Sequence, residues 1–221
     1  MKEMLARHKG KLILSSLVIL LPILPAAFAG QTLFLWEPVL LLVSQWVIML
    51  VVLHANRNKE QSPKVLNLVA WILPVLSLLL GVVGQLAQGG ADSAYLITAL
   101  FTFFMGLLFF LIGNYMPKTK QNGAVGIRIK WTLESEENWD ATHRYAGKLW
   151  CLGGLLLMVC ALIPSVLMVI LLWFVILAAM VILPTRYSYR FYKSQVAEGK
   201  VEKSPVKPRS IVLIAVLVLA F

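Results

Sequence analysis

Long apolar runs recur along this chain, and the loops between them alternate between rich in Lys and Arg and devoid of both. A helix needs about 20 apolar residues to cross the hydrocarbon layer, with about 17 as the lower limit. Runs of that order lie at Leu12–Ala29, Pro38–His54, Leu66–Leu86, Ala94–Met116, Leu149–Ile163 and Ser165–Leu183. The last two are short and meet at Pro164, which suits a tight helical hairpin. Hydrophobic residues make up 60% of the chain and charged residues 14%, whereas a soluble domain has about a quarter charged. These features predict an all-α integral membrane protein with six transmembrane helices. A further apolar run, Ile211–Phe221, reads either as a re-entrant or surface segment or as the start of a seventh helix.

Loop charge sets the expected orientation, because cytoplasmic loops hold the excess of Lys and Arg. Lys2, Arg7, Lys9 and Lys11 precede the first span, and Arg57, Lys59 and Lys64 follow the second. The loops 30–37 and 87–93 and the turn at Pro164 hold none, while 117–148 carries six Lys or Arg and 184–210 seven. The N-terminus and the long polar loop are therefore expected in the cytoplasm. Trp36, Trp71, Tyr95, Tyr115, Trp150, Tyr187 and Tyr189 fall near span ends, as interfacial rings should. The basic N-terminus followed by Leu12–Ala29 also fits a signal peptide, although the run is long and carries Pro22 and Pro25. The net charge of +10 lies beside apolar spans, which points to membrane orientation and not to direct nucleic-acid binding.

Residues 113–150 are the one long polar stretch between membrane-length segments. Pro117 is expected to end the fourth span, since it lacks an amide hydrogen and disfavours helical angles at Met116. Lys118 and Lys120 then face anionic headgroups, Asn122-Gly123 and Gly126 read as turns, and 127–131 alternates. Thr132 is the expected N-cap of an amphipathic loop helix with Glu134, Glu136 and Glu137 in its first turn. Trp139, Thr142, Ala146 and Trp150 share one face, and Glu136, Asp140, His143 and Lys148 are polar. That helix is expected to lie on the membrane before turning into the fifth span.

Gly113-Asn114, Pro117-Lys118 with Lys120 and Asn122, Gly126-Ile127-Arg128, Trp131-Thr132-Leu133, Asn138-Trp139, Thr142-His143-Arg144 and Gly147-Lys148-Leu149-Trp150 together resemble the signature of the SdpI family of bacterial membrane proteins. The resemblance implies a multi-pass protein of the bacterial cytoplasmic membrane that confers immunity to a secreted, membrane-active peptide toxin. It also implies signalling, in which the toxin-engaged protein captures a cytoplasmic autorepressor. Family members commonly carry a longer outer segment after the first span and a Pro before the Trp-Thr-Leu element; here 30–37 is short and Lys130 stands at the second position.

Glu136, Asp140 and His143 could ligate a metal from one helical face, but a solvated face with Asp140 paired to Arg144 is the simpler expectation, and no metal or cofactor is expected. His143 lacks an identifiable nucleophile or substrate pocket, so no enzyme is expected. Arg128 and Arg144 are candidates to receive a phosphate or a partner's carboxylate, against lipid contact or loop salt bridges. Gln45 and Asn114 are amides at lipid depth, which either line a groove or bridge helices. A neutral amide-lined permease through these two, or a scaffold recruiting a partner through its basic tail, are the alternatives to immunity. No Asp, Glu, Lys or Arg lies within the spans, which disfavours proton-coupled transport. Ser77, Gly81, Gly84, Gly106, Gly113 and Gly153-Gly154 read as helix-packing faces, and Pro74 as a kink.

The organisation expected from these patterns is a four-helix membrane region over 1–116, a cytoplasmic motif loop over 117–148, a transmembrane hairpin over 149–183, a basic linker over 184–210 and the apolar segment 211–221.

Overall fold

A computed structural model describes residues 2–28, 30, 35–55 and 61–201. It is helical throughout, with no strand among the described residues. The apolar segment 211–221 and the last part of the expected basic linker, 202–210, lie outside them.

The helices follow from their caps and their apolar content. α1 (Lys2–Leu20) and α2 (Ile23–Phe28) form one apolar rod broken at Pro22. α3 spans Trp36–Ala55. α4 (Pro63–Leu86) starts with Ser62 accepting from the Lys64 amide and Pro63 in the first turn, where a missing amide hydrogen costs nothing. α5 (Ala94–Tyr115) runs into a 3-10 turn, Met116–Lys118, so Pro117 ends the helix where the sequence placed its end. A five-residue helix, α6 (Lys130–Glu134), precedes α7 (Glu136–Cys160), and α8 covers Val166–Ala197.

Among the described residues, five helical stretches are long and apolar enough to cross a bilayer: Lys9–Phe28, Trp36–Ala55, Pro63–Leu86, Ala94–Lys118 and Val166–Ala197. The molecule is therefore an all-helical, multi-pass membrane protein. The sixth expected span, 149–163, has no helix of its own. It is the second half of α7, which begins at Glu136 and continues without the turn expected between loop helix and membrane. The reason is local: Ser135 is extended and caps the helix by accepting from the Asn138 amide at 3.2 Å, and nothing between Glu136 and Cys160 interrupts the backbone ladder. Thr132, the cap expected from the sequence, lies inside α6 instead.

α1, α3 and α4 pack on one another, α5, α7 and α8 do the same, and α4 against α5 joins the two groups. Leu12, Met49 and Ala70 form the core of the first group; Leu157, Cys160, Ile176 and Met180 form that of the second.

Two prolines sit inside spanning helices, and each is accommodated in the same way. Pro74 cannot donate to the Ala70 carbonyl one turn back, and the Gln45 side-chain amide of α3 donates to that carbonyl at 2.8 Å. Pro184 likewise leaves the Met180 carbonyl without its helical donor, and the Trp150 indole N–H of α7 supplies one at 3.1 Å. A bared carbonyl in hydrocarbon costs several kcal/mol unless a neighbour satisfies it, about the penalty for an unpaired polar group there. With its carbonyl satisfied, α8 continues through Pro184 to Ala197, past the boundary expected at residue 183.

α5 and α7 approach until their backbones touch. Gly106 faces Gly154 and Gly113 faces Gly147, an antiparallel register seven residues apart on both helices. A Cβ on Gly154 would stand 2.5 Å from the Gly106 carbonyl oxygen and 2.5 Å from the Phe110 nitrogen, and one on Gly113 2.6 Å from the Cys151 nitrogen. At the opposite end of the bundle, Gly81 lies against Pro22, whose Cβ would be 2.7 Å from an added Cβ, and Ser77 donates to the Ile19 carbonyl at 2.8 Å.

Candidate functional site

The basic segments converge at one end of the bundle. Lys11 donates to Asn67 Oδ1 at 2.7 Å, Gln61 donates to the Lys120 carbonyl at 2.7 Å, and the Lys120 amide donates back to Gln61 Oε1 at 3.0 Å. Gln195, near the end of α8, donates to Ser135 Oγ and to Glu137 Oε2, each at 3.0 Å. The segment before α4, the loop after α5, the start of α7 and the end of α8 thus form one polar layer.

That layer is built around Trp139 and His143. The Trp139 side chain is 0% exposed and His143 is 1% exposed, and their rings stack with centroids 4.1 Å apart. The Trp139 indole donates to the Thr119 carbonyl at 2.7 Å, which pins the strand of chain leaving α5. His143 uses both ring nitrogens: Nε2 accepts from the Ile127 amide at 2.9 Å, so the ring is the Nδ1–H tautomer and Nδ1 donates to the Trp139 carbonyl at 2.8 Å. Burial holds the imidazole below its ordinary pKa, partly offset by the Trp139 carbonyl and by Asp140. His143 was expected on the polar face, with Glu136 and Asp140 as possible co-ligands of a metal. It faces inward instead, and neither nitrogen is left to take a ligand or a substrate proton.

Gly126 closes over this pair. Its φ is +113°, a conformation that L side chains rarely adopt, and an added Cβ would stand 2.5 Å from His143 Nε2. Asn122 organises the preceding turn with all its hydrogen-bonding capacity: Oδ1 accepts from the Ala124 and Val125 amides at 2.7 Å each, and Nδ2 donates to the Lys120 and Val125 carbonyls at 2.7 and 2.9 Å. The Thr132 hydroxyl lies 2.7 Å from the Ile127 carbonyl and 2.8 Å from that of Ile129.

A second buried cluster ties α7 to α8. Asn138 Oδ1 accepts from the Thr142 hydroxyl at 2.9 Å and from the Ser188 hydroxyl at 2.8 Å, while its Nδ2 donates to the Ser188 carbonyl at 3.1 Å. Trp131 covers the side of this joint, 4.8 Å from the Tyr189 ring and 6.2 Å from that of Tyr192.

The residues picked from the sequence therefore divide in two. Asn138, Trp139, Thr132, Thr142, His143 and Gly147 are buried and hold the layer together, and Asn122, Gly126 and Trp131 shape its turns and edge. Pro117, Lys118, Lys120, Arg128, Arg144 and Lys148 are exposed, and these are the ones whose side chains can meet another molecule. Lys118 lies over the Tyr115 ring at 4.6 Å. Arg144 makes its hydrogen bond to the Asp140 carbonyl, at 3.3 Å, in place of the expected carboxylate.

The two intramembrane amides do not join into one path. Gln45 is buried between α1, α3 and α4, also approaching Ser15 Oγ at 3.3 Å, whereas Asn114 is exposed at the end of α5. Gln195, Ser188 and Ser135 were missed in the sequence, where they read as linker or loop. Seven-residue spacing from Ser188 to Gln195 on one helical face was the available signal.

Known proteins supply the remaining context. No solved structure matches the chain. Over 173 residues it is 27% identical to Immunity protein SdpI of Bacillus subtilis strain 168, covering 76% of this chain and 79% of that protein. Residues 118–188 match the SdpI/YfhL protein family, and those bounds enclose the Trp139–His143 stack, Gly126, Thr132 and the Asn138–Ser188 joint. The likeness read from the sequence is thus borne out, and the core of the buried polar layer of this membrane protein lies in the segment that matches the SdpI/YfhL family.

Proposed function

We propose that the protein is an SdpI-like immunity protein that protects its cell against a secreted, membrane-active peptide. The observation that carries this reading is the relative named Immunity protein SdpI, similar over most of both chains, together with a family segment that coincides with the most highly bonded part of the fold. The helix bundle engages the peptide within the membrane, and the polar layer reports on it. Loop charge supports a cytoplasmic N-terminus and a cytoplasmic layer in the inner membrane of a bacterium, with the apolar half of α7 returning the chain between α5 and α8 to give six crossings. Arg128, Lys118 and Lys120 then face the cytoplasm as the surface able to dock a partner such as an autorepressor, since a guanidinium and two ammonium groups recognise acidic side chains.

A deletion strain challenged with secreted peptides tests the reading: restored protection by the wild-type gene is expected. Arg128→Ala, at an exposed site, is expected to leave insertion intact and abolish protection. Unchanged protection at equal membrane level removes the polar layer from the mechanism, and no protection by the wild type against any such peptide rejects immunity itself.

A further inference from the structure

Between the polar ends of α7 and α8 lies an open groove of about 450 Å³ that the buried network leaves unused; Glu137, Arg144, Tyr145, Lys148, Tyr187 and Phe191 line it. Arg144 and Lys148 stand one helical turn apart, about 6 Å along the axis. Both are exposed. The guanidinium of Arg144 donates through Nε to the Asp140 carbonyl only, and Lys148 has no hydrogen bond or ion pair among the described residues. The one carboxylate of the lining, Glu137, already accepts from Gln195 at 3.0 Å. Tyr145 and Tyr187 stack beside the cations with centroids 4.5 Å apart and planes 19° from parallel, giving the groove a flat aromatic wall.

The same face of α7 continues into the membrane-facing part of the helix. Leu152 is 55% exposed, Leu155 46% and Val159 63%, at four, seven and eleven positions beyond Lys148. Two unpaired cations with an aromatic wall beside them give way along α7 to an apolar stripe, the order of headgroup and acyl chain. A soluble anion would use the first of these and have no use for the last.

We propose that this groove is a binding site for one anionic phospholipid. Its phosphate is held by Arg144 and Lys148, its headgroup rests against Tyr145 and Tyr187, and an acyl chain lies along Leu152, Leu155 and Val159. The site is independent of the immunity reading, because it requires only that the protein be embedded in a bilayer containing anionic lipid.

Native mass spectrometry of the purified full chain, titrated with phosphatidylglycerol or phosphatidylcholine, tests it. The wild type is expected to retain phosphatidylglycerol in preference to phosphatidylcholine. Arg144→Gln with Lys148→Gln is expected to weaken that binding about 30-fold, the combined effect of two cations at a headgroup surface. Arg190→Gln with Lys193→Gln removes equal charge from exposed positions of α8 outside the groove and is expected to leave it unchanged. If the first pair impairs folding, Lys148→Gln alone is expected to weaken binding about fivefold. Equal retention of the two lipids, or equal loss in both double variants, overturns the site. Displacement by inorganic phosphate or by glycerophosphoglycerol at matched concentration reassigns it to a free phosphate, and displacement by a soluble acidic peptide reassigns it to a protein partner; either result overturns the lipid proposal.

Discussion

Gln45→Leu isolates the device that lets α4 carry a proline inside the membrane. In the wild type, Ala70 has lost its helical donor to Pro74, and the Gln45 amide replaces it at 2.8 Å. Leucine is close in size and suits its apolar neighbours, so the substitution mainly removes the donor and leaves a buried carbonyl unsatisfied. That loss costs about 1–3 kcal/mol. The Oε1 of Gln45 has no partner, so deleting it relieves a burial penalty and moves the expected cost to the low end, about 1 kcal/mol. Pro74→Ala supplies an amide N–H to the same carbonyl and makes the Gln45 donor redundant. In that background Gln45→Leu is expected to cost about 0.6 kcal/mol or less, the average for an ordinary interhelical side-chain bond in membranes. The four proteins of this cycle, unfolded by SDS titration in micelles, give the coupling directly. An equal cost for Gln45→Leu in both backgrounds would refute the assignment of Gln45 to the orphaned carbonyl.

Trp150→Phe repeats the logic on α8: it keeps the ring but removes the donor to Met180, and it is expected to cost about 1–2 kcal/mol with Pro184 present and clearly less with Pro184→Ala, by the same unfolding titration. Gly154→Ala places a methyl 2.5 Å from two backbone atoms of α5, so the helices must separate by about 1 Å; a loss of about 1–3 kcal/mol is expected, whereas Gly123→Ala, with nothing within 4 Å, is expected to be neutral. His143 must be neutral to accept from Ile127, and burial lowers its pKa from the ordinary 6.5. Its contribution is therefore complete above about pH 6.5 and lost as the pH falls through the lower folded value. Hydrogen exchange at the Ile127 amide is expected to accelerate in that acid window in the wild type and to be fast and pH-profile-neutral in His143→Ala, once intrinsic exchange is divided out.

Five of the six expected bilayer-length runs were legible as spanning helices because burial in lipid imposes a length and a composition on each helix, independently of its neighbours. Ser135 and Ser165 were less legible as caps than they should have been. Each precedes a helix and accepts from the amide three residues on, yet Thr132 and Pro164 are the more conspicuous boundary signals beside them. His143 was misplaced because periodicity assigns a face by polarity, and an imidazole with both nitrogens satisfied is as much at home inside as outside. The motif residues of the loop were legible as a set but not by task. Nothing in the order of Asn138, Trp139, Thr142 and His143 distinguishes residues that hold a layer together from residues that greet a partner; burial does.

By itself the sequence determined that this chain lives in a bilayer, that its basic segments gather on one side, and where its one chemically rich stretch lies, because hydrocarbon length and loop charge act on each segment alone. Tertiary structure decided that α7 runs unbroken from Glu136 to Cys160, that Gln45 and Trp150 serve the carbonyls freed by Pro74 and Pro184, and that glycines far apart in sequence meet backbone to backbone. Those are pairings between segments, and a donor on one helix acquires its meaning only when another helix brings an acceptor within 3 Å or so of it.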